Sequence, residues 1–586
     1  MQKRHQSYKY RLLGLVGQGQ FGQVYCAIHR RTGRLVALKN LNRDRFATHQ
    51  FLRELRFLLS LDHPNIANCL ALDQTGNARQ LVLDYCEGGT LRDLLEQGTQ
   101  LSLSEILTLT TEVLSALEHA HQKRIVHCDI KPENILLALT ATGWQAKVSD
   151  FGIARLSQEY QQNRSGGTGS PAYMAPERFY FQSSAASDLY AVGVVLYELL
   201  VGDRPFSGSY QQLMVCHLNQ TIELPSHIPP LVQQVLKKAI EKLIPRRFRS
   251  AAEMKAAITA ARKTLNAAEL RDRFPKPIAC LPTVSFDQPA QQSLKAQGSL
   301  WALAYHSASA QLLAVNEQAI YSWKDLNNSS LTTSPQQQPQ FDSPITQLIP
   351  TVAGVIAVAH HQLYVWQEGG FNLLLELPEP VKIVPGSSQR WLVGQSRLHP
   401  SHLWLVDLLQ QPSSDPRLLP SCDIDPDTRV LVLGDRYYLL ITVNQPHASL
   451  RLMTRKGRQV GALHIPVPIH QVISWQTGDG FLAQSGKHGQ DLLIVRLRPY
   501  RIMRCRLDIT ADWVGELATG FVLISHSGQM RLLNYQGQLI GRVDDLPSPQ
   551  AVLFHPPHHI WLLSQSAEQA EIYRIDIRQL NLDIIF

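Results

Sequence analysis

Two domains of different class are predicted for this chain: an α+β half that ends near residue 265 and an all-β half that begins at residue 297. Three observations carry that expectation. A chain of 586 residues exceeds one ordinary domain. Up to Thr264, short strand-like runs alternate with long amphipathic stretches of helical period. From residue 297 the long helical patterns stop, and apolar hairpins recur about every 42 residues.

Composition narrows the function classes. Hydrophobic residues make up 44% of the chain, enough for packed cores. The 56 Lys and Arg exceed the 48 Asp and Glu by only eight, and no basic run or aromatic–basic motif accompanies them, so nucleic acid is not an expected partner. The cysteines (Cys26, Cys69, Cys86, Cys128, Cys216, Cys280, Cys422 and Cys505) show no CxxC and no metal spacing. That scatter suits reduced thiols in a cytoplasmic protein better than a disulfide frame. The opening MQKRHQSYKY is polar and unlike a signal peptide. The longest apolar stretch, Leu189 to Val201, contains Tyr and Glu and falls short of the roughly 20 residues of a membrane span. It reads as a helix buried in a large domain, and no membrane span is expected.

Taken in order, Leu12 to Leu41 reads as three strands, with Thr32-Gly33 as the second turn. Gly17, Gly19, Gly22 and Val24 spell GxGxxGxV, and Val36-Ala37-Leu38-Lys39 follows at strand period. Glycines there would let backbone close over phosphates with no Cβ in the way. Ala47 to Ile66 has helical period, with Phe51, Leu55, Leu58 and Leu59 on one face and Glu54 on the same helix. Arg79 to Leu95 reads as a strand, a connector and a helix that Thr90 can cap. Ser102 to Arg124 is a long amphipathic helix with a Ser102–Glu105 capping box. His119 and His121 on it have no partner spacing and read as surface or packing residues.

That helix leads into IVHCDIKPENILL, Ile125 to Leu137. Asp129, Lys131 and Asn134 lie there between two strand-like pieces: a carboxylate, a cation and an amide on one loop. Downstream, KVSDFGIAR adds Asp150. Carboxylate and amide oxygens suit Mg²⁺, which takes hard oxygen ligands.

The glycine pattern, VALK, HCDIKPEN, DFG and Ala175-Pro176-Glu177 together resemble the motif set of eukaryotic-type (Hanks-type) serine/threonine protein kinases. The resemblance implies a bilobal α+β protein kinase fold over residues 8–265, with ATP and Mg²⁺ as cofactors and proteins as substrates. It implies that Lys39 holds the α and β phosphates and pairs with Glu54. Gly17, Gly19 and Gly22 would cover the phosphates. Val16, Val24, Ala37 and Leu136 would wall the adenine slot, with Leu83 at its gate and Asp84-Tyr85-Cys86 as the hinge. Asp129 would accept or orient the acceptor hydroxyl proton, Lys131 would steady the γ-phosphate, and Asn134 and Asp150 would ligate Mg²⁺. Lys131 two residues after the Asp is the serine/threonine-type pattern. Ser170 aligns with a residue that contacts the catalytic Asp and Lys, and Ser165, Thr168 and Ser170 are candidate autophosphorylation sites. Asp188 would cap the buried helix and brace the catalytic loop, and Arg247 would pair with Glu177. One departure stands out: His127-Cys128-Asp129 replaces His-Arg-Asp, removing the cation that normally receives an activation-loop phosphate. The expectation is a kinase that is competent without that phosphate. The alternative, a catalytically weak pseudokinase scaffold that only binds protein, would show loss of Lys39, Asp129, Asn134 or Asp150, and all four are present.

Residues 266–296, with their prolines, glutamines and serines, read as a linker. Beyond it, seven pieces share an order of apolar strand, polar turn and second strand. They end at Trp323, Trp366, Val406, Met453, Val495, Leu533 and Ile575, with gaps of 43, 40, 47, 42, 38 and 42 residues. Each is preceded by a further short apolar run. Propeller blades repeat at about 40–50 residues, so a seven-bladed β-propeller is predicted for 297–586. It resembles degenerate WD-repeat domains; SWKDL and VWQEG are faint echoes of the Trp-Asp ending. No His, Asp, Glu or Cys set in this half has catalytic spacing, and its expected role is docking a protein partner or sensing. The layout resembles bacterial signalling kinases with appended repeat domains.

Overall fold

A computed structural model describes residues 9–19, 22–41, 59–75, 78–151, 170–274 and, apart from short interruptions of which 324–340 is the longest, 293–579. The chain divides into two compact units, Met1–Ala279 with Leu497–Ile502, and Cys280–Arg496 with Met503–Phe586.

In the first unit, five strands form one antiparallel sheet in the order β1-β2-β3-β5-β4. They are β1 (Tyr10–Gly19), β2 (Gly22–His29), β3 (Leu35–Leu41), β4 (Cys69–Thr75) and β5 (Ala78–Asp84). Strand alternation decides what β3 presents on each face. Val36 and Leu38 join Tyr10, Ala27 and Val82 in a buried apolar cluster. Ala37 and Lys39 therefore point to the other face of the sheet. The β1–β2 turn closes with Gly19 opposite Gly22, whose φ of 135° a side chain would strain.

The rest of this unit is mostly helical: α1 (Leu91–Glu96), α2 (Leu103–Gln122), α3 (Ala185–Val201), α4 (Tyr210–Asn219), α5 (Pro230–Ala239) and α6 (Ala251–Thr264). Both predicted caps form. Thr90 and Asp93 make a capping box at α1, and Ser102 and Glu105 make one at α2. The apolar run predicted to be a buried helix is α3, with every residue from Ser187 to Leu200 buried. Each fully buried Leu or Val of this kind stabilises by about 1.5–3 kcal/mol. A Cβ at Gly193 would lie 2.8 Å from Ala239 Cβ, so this glycine is what lets α3 and α5 approach. The start of α3 corrects one expectation: Ser184, with Ser187, caps it, and Asp188 lies within the first turn. Within 266–296, Ala267–Arg271 is a short helix capped by Asn266, and Arg273–Phe274 pairs with Leu101–Ser102. The greater part of the helix predicted around Glu54, and residues 275–292, lie outside the described residues. No helix among the described residues is long and apolar enough to cross a membrane.

From Ser293 onward the chain forms a series of antiparallel sheets. Five four-stranded sheets follow one another in chain order, running Ile345–Glu376, Val381–Leu418, Thr428–Ile465, Ile469–Arg506 and Trp513–Val543. A sheet of three described strands, Ala302–His306, Gln311–Val315 and Ile320–Trp323, precedes them. The last sheet combines Pro549–His555, His559–Gln565 and Gln569–Asp576 with Ser293–Gln297, from the other end of the unit. Ser293 lies opposite Tyr573 and Gln297 opposite Gln569. All seven predicted repeat ends, Trp323 to Ile575, fall in the third strand of a sheet, and the preceding apolar runs supply the first strands. Trp323 and Trp366 are buried, and Trp366 Nε1 donates to Gln311 Oε1 of the neighbouring sheet at 3.0 Å.

Candidate active site

The loop after α2 is fixed before its side chains can do chemistry. Asp188, 1% exposed on α3, accepts from the backbone N–H of His127 at 2.9 Å and of Cys128 at 2.8 Å. Its Oδ2 also lies 2.8 Å from His121 Nε2 at the end of α2. His121 is therefore part of the loop's support, where the sequence suggested only surface or packing. His127 is buried, with Nε2 2.8 Å from the Ser149 carbonyl and its ring edge-on to Phe151 at 4.7 Å. Cys128 adopts a left-handed φ of 68°, and its carbonyl accepts from Arg178 at 3.1 Å. Two helices, the loop and the Ser149–Phe151 segment are thereby locked to one another.

On that frame the predicted residues converge. Lys131 Nζ lies 2.8 Å from Asp129 Oδ2. Asn134 donates through Nδ2 to the Asp129 carbonyl at 2.7 Å and to its Oδ2 at 2.9 Å. These bonds use only the nitrogen of the amide, so Oδ1 keeps the lone pairs a cation would need. The Ser170 N–H lies 3.4 Å from Asp129 Oδ1, one of the two contacts expected of that residue. Ser149 N–H donates to the Asn134 carbonyl at 2.8 Å, which holds Asp150 beside Asn134. Asp150 has a φ of 62°, uncommon for a residue with a side chain and of the kind that clusters at functional sites.

Lys39 reaches this group from β3. It is 5% exposed, and its Nζ lies 2.5 Å from Asp150 Oδ1. Burial opposes ionisation at Asp150, but Lys39, then His127 and Lys131, outweigh it and hold the carboxyl below its usual range. Asp150 is thus a carboxylate at neutral pH, and its side chain remains 31% exposed. A carboxylate and an amide oxygen side by side are a donor set that fits Mg²⁺.

Most of the residues expected to face the nucleotide lie on β1, β2, β3 and β5. Gly17 pairs with Val24 and Val24 with Lys39, so the glycine turn extends from the strand next to the lysine. Ala37 lies opposite Leu83, and Val36 opposite Asp84. Val16 is exposed, and Leu136 bridges to Thr90 just past the hinge. Cys86 is buried, which pushes its thiol up to about 12 and keeps it unreactive. Glu54, Ser165 and Thr168 lie outside the described residues.

Two supports close the site from below. Arg247 holds Glu177 through paired bonds of 2.8 and 2.7 Å, as predicted, and Ser187 donates to Glu177 at 2.7 Å. Sequence reasoning missed Arg92. From α1 its guanidinium binds Glu133 of the catalytic loop and Glu198 of α3, both at 2.9 Å, and also Tyr173. Its partners lie 41, 106 and 81 residues away, and no local spacing announces them.

Residues 10–258 match the family model for the protein kinase domain. The first unit carries a protein kinase domain. Its kinase region is similar to the probable serine/threonine-protein kinase PknB of Lactococcus lactis, 33% identical over 258 residues, covering 42% of this chain and 41% of that protein. It is also similar to the serine/threonine-protein kinase PrkC of Bacillus subtilis, 35% identical over 268 residues, 44% of this chain and 41% of that one. Human serine/threonine-protein kinase D2 is 43% identical over 201 residues, 33% of this chain and 22% of that one. The chain therefore spans less than half the length of each of these relatives, and each resemblance is confined to part of this chain.

Proposed function

We propose that this protein is a serine/threonine protein kinase, transferring the γ-phosphoryl group of ATP to Ser or Thr hydroxyls of proteins. The observation that carries the reading is the convergence of Lys39, Asp129, Lys131, Asn134 and Asp150 into one connected group. In the reaction, a bond forms between the acceptor oxygen and the γ-phosphorus as the bond to the β–γ bridging oxygen breaks, and ADP leaves. Asp129 orients the acceptor hydroxyl and takes its proton. Lys131, beside it, steadies the moving phosphoryl group. Lys39 binds the α and β phosphates, and the backbone of Gly17, Gly19 and Gly22 covers them. Asn134 and Asp150 would hold Mg²⁺, which neutralises phosphate charge when bound. Val16, Val24, Ala37, Leu83 and Leu136 would enclose adenine, with the backbone of Asp84 and Cys86 as its hydrogen-bonding edge. Glu54 is proposed as the partner that Lys39 acquires in the active arrangement.

The test is transfer of labelled γ-phosphate by the full chain and by an Asp129→Ala chain. Transfer should fall by about 10²–10⁴-fold. ATP binding should persist, because this carboxylate acts on the acceptor and not on the nucleotide. Undiminished transfer would remove the assignment.

We infer further that the second unit closes into a seven-bladed propeller that docks a protein partner or senses a ligand. Two kinds of contact support this. Ser293–Gln297 completes the last sheet, as expected where a ring is sealed by strands from both ends. Ala302–His306, a first strand, touches the first strands on both sides, Ile345–Thr351 and Pro549–His555. Thr428–Leu433 likewise touches Ile469–Ser474, and Trp513–Leu517 touches Pro549–His555.

A further inference from the structure

The second unit carries a side-chain cluster that the kinase reading does not use. Glu379 lies in the connection between the strands Gly370–Glu376 and Val381–Ile383, which belong to successive sheets. His399 and His402 lie on the turn between Trp391–Ser396 and Leu403–Asp407. Their candidate ligand atoms all lie within 4.8 Å of one another. His402 Nδ1 is 2.8 Å from Glu379 Oε1, and His399 Nδ1 is 3.4 Å from Glu379 Oε2. The imidazole rings are 4.8 Å apart.

The cluster is held by its surroundings. The Ser396 side chain donates to Glu379 Oε2 and accepts from the N–H groups of Leu398 and His399, at 3.1 and 3.0 Å. The His402 N–H donates to the His399 carbonyl at 2.8 Å, tightening the turn that sets the two rings side by side. The Arg397 N–H donates to the Pro380 carbonyl at 2.8 Å, fixing the turn to the segment that bears Glu379. A serine that both orients the carboxylate and shapes the turn plays the part that outer partners play around metal ligands.

We propose that Glu379, His399 and His402 form a Zn²⁺ site, with the fourth position open to water or to an incoming ligand. Two imidazole nitrogens and one carboxylate match three-ligand zinc chemistry, whereas Mg²⁺ and Ca²⁺ take oxygen ligands. Bonds of about 2.0–2.1 Å in a tetrahedron place ligand atoms about 3.4 Å apart. The Glu379–His399 separation already meets that value. His402 Nδ1, 2.8 Å from the other carboxylate oxygen, Oε1, must give up that contact to share the ion with Oε2. The bound ion ties the 397–402 turn to the connection between two sheets, and so couples metal occupancy to the rigidity of that edge.

The experiment uses the full chain, stripped of metal by chelation and kept free of nucleotide. Zn²⁺ is titrated in competition with a chromophoric chelator, and Co²⁺ is titrated separately as a spectroscopic probe. The unaltered chain should bind one more Zn²⁺ than a His399→Ala chain, or bind it at least about tenfold more tightly. Its Co²⁺ form should show the intense visible bands of four-coordination, and the variant's should not. His399 has a side chain 59% exposed, so its removal does not threaten folding, and His402→Ala repeats the test from the second ring. Equal Zn²⁺ stoichiometry and affinity in the unaltered and variant chains, or superimposable Co²⁺ spectra, would overturn the site and leave the three residues as a hydrogen-bonded cluster. Neither readout depends on phosphoryl transfer.

Discussion

At the scale of single residues, the chemistry rests on Asp188, which is not itself among the groups proposed to act on substrate. Its carboxylate receives two backbone N–H groups from His127 and Cys128 and lies against His121. Leaving buried donors unpaired costs about 1–3 kcal/mol each. An Asp188→Asn chain keeps one acceptor and loses the other, so the loop holding Asp129 should shift. The expected outcome is a fall in kcat of about 10–100-fold with KM for ATP nearly unchanged, since misplacing a reacting group costs rate more than nucleotide binding. Steady-state kinetics separates the two parameters, and equal changes in both would count against a positioning role. The sequence pointed to a brace at Asp188 through its motif, but not to His121. That contact spans 67 residues, and no local pattern encodes it.

Among elements, α3 and α4 are joined by a pair whose behaviour depends on pH. His217 of α4 is fully buried, and its Nδ1 lies 2.8 Å from the Tyr190 hydroxyl of α3. Burial, then the Lys242 ammonium, pull the imidazole down to about 4. In the unfolded chain it titrates near 6.5, so between those values the unfolded state binds the proton and the folded state does not. Stability is therefore full above pH ~6.5 and is lost as pH falls towards ~4, by a contribution on the order of 3 kcal/mol. A His217→Gln chain, which can still bond Tyr190, should lose this slope. Melting curves of the transition that Mg–ATP shifts, taken from pH ~4.5 to ~7.5, check it. Parallel acid sensitivity in both chains would place the titration elsewhere. The helices themselves were legible in the sequence, because Ser102–Glu105 and the run Leu189–Val201 are local signals. Their pairing was not: Gly193 against Ala239 is a contact across 46 residues, decided by shape.

For the whole molecule, the decisive strand is a short one. Ser293–Ala296, all but the last residue of this strand, fell in the stretch read as linker, because so short a run among prolines and glutamines carries no period of its own. It is the register against Gln569–Tyr573 that makes it a strand. Removing residues 293–297 should leave a row of unpaired backbone groups along that edge. Amide exchange at 569–573 should then speed up by at least about tenfold, and unchanged protection would sink the idea of a ring closed by that strand. What the sequence by itself determined was the identity and order of the parts. The motifs from Gly17 to Glu177 were legible because phosphoryl transfer demands particular residue types at fixed spacings. The seven repeat ends were legible because each sheet reuses one pattern of apolar strand and polar turn. Only the tertiary structure decided which distant side chains meet: Lys39 with Asp150, Arg92 with Glu133 and Glu198, and Glu379 with His399 and His402. The physical reason is one of range. Period and capping act over a few neighbours along the chain, whereas charge pairing and ligand geometry act through space, between segments that only packing brings together.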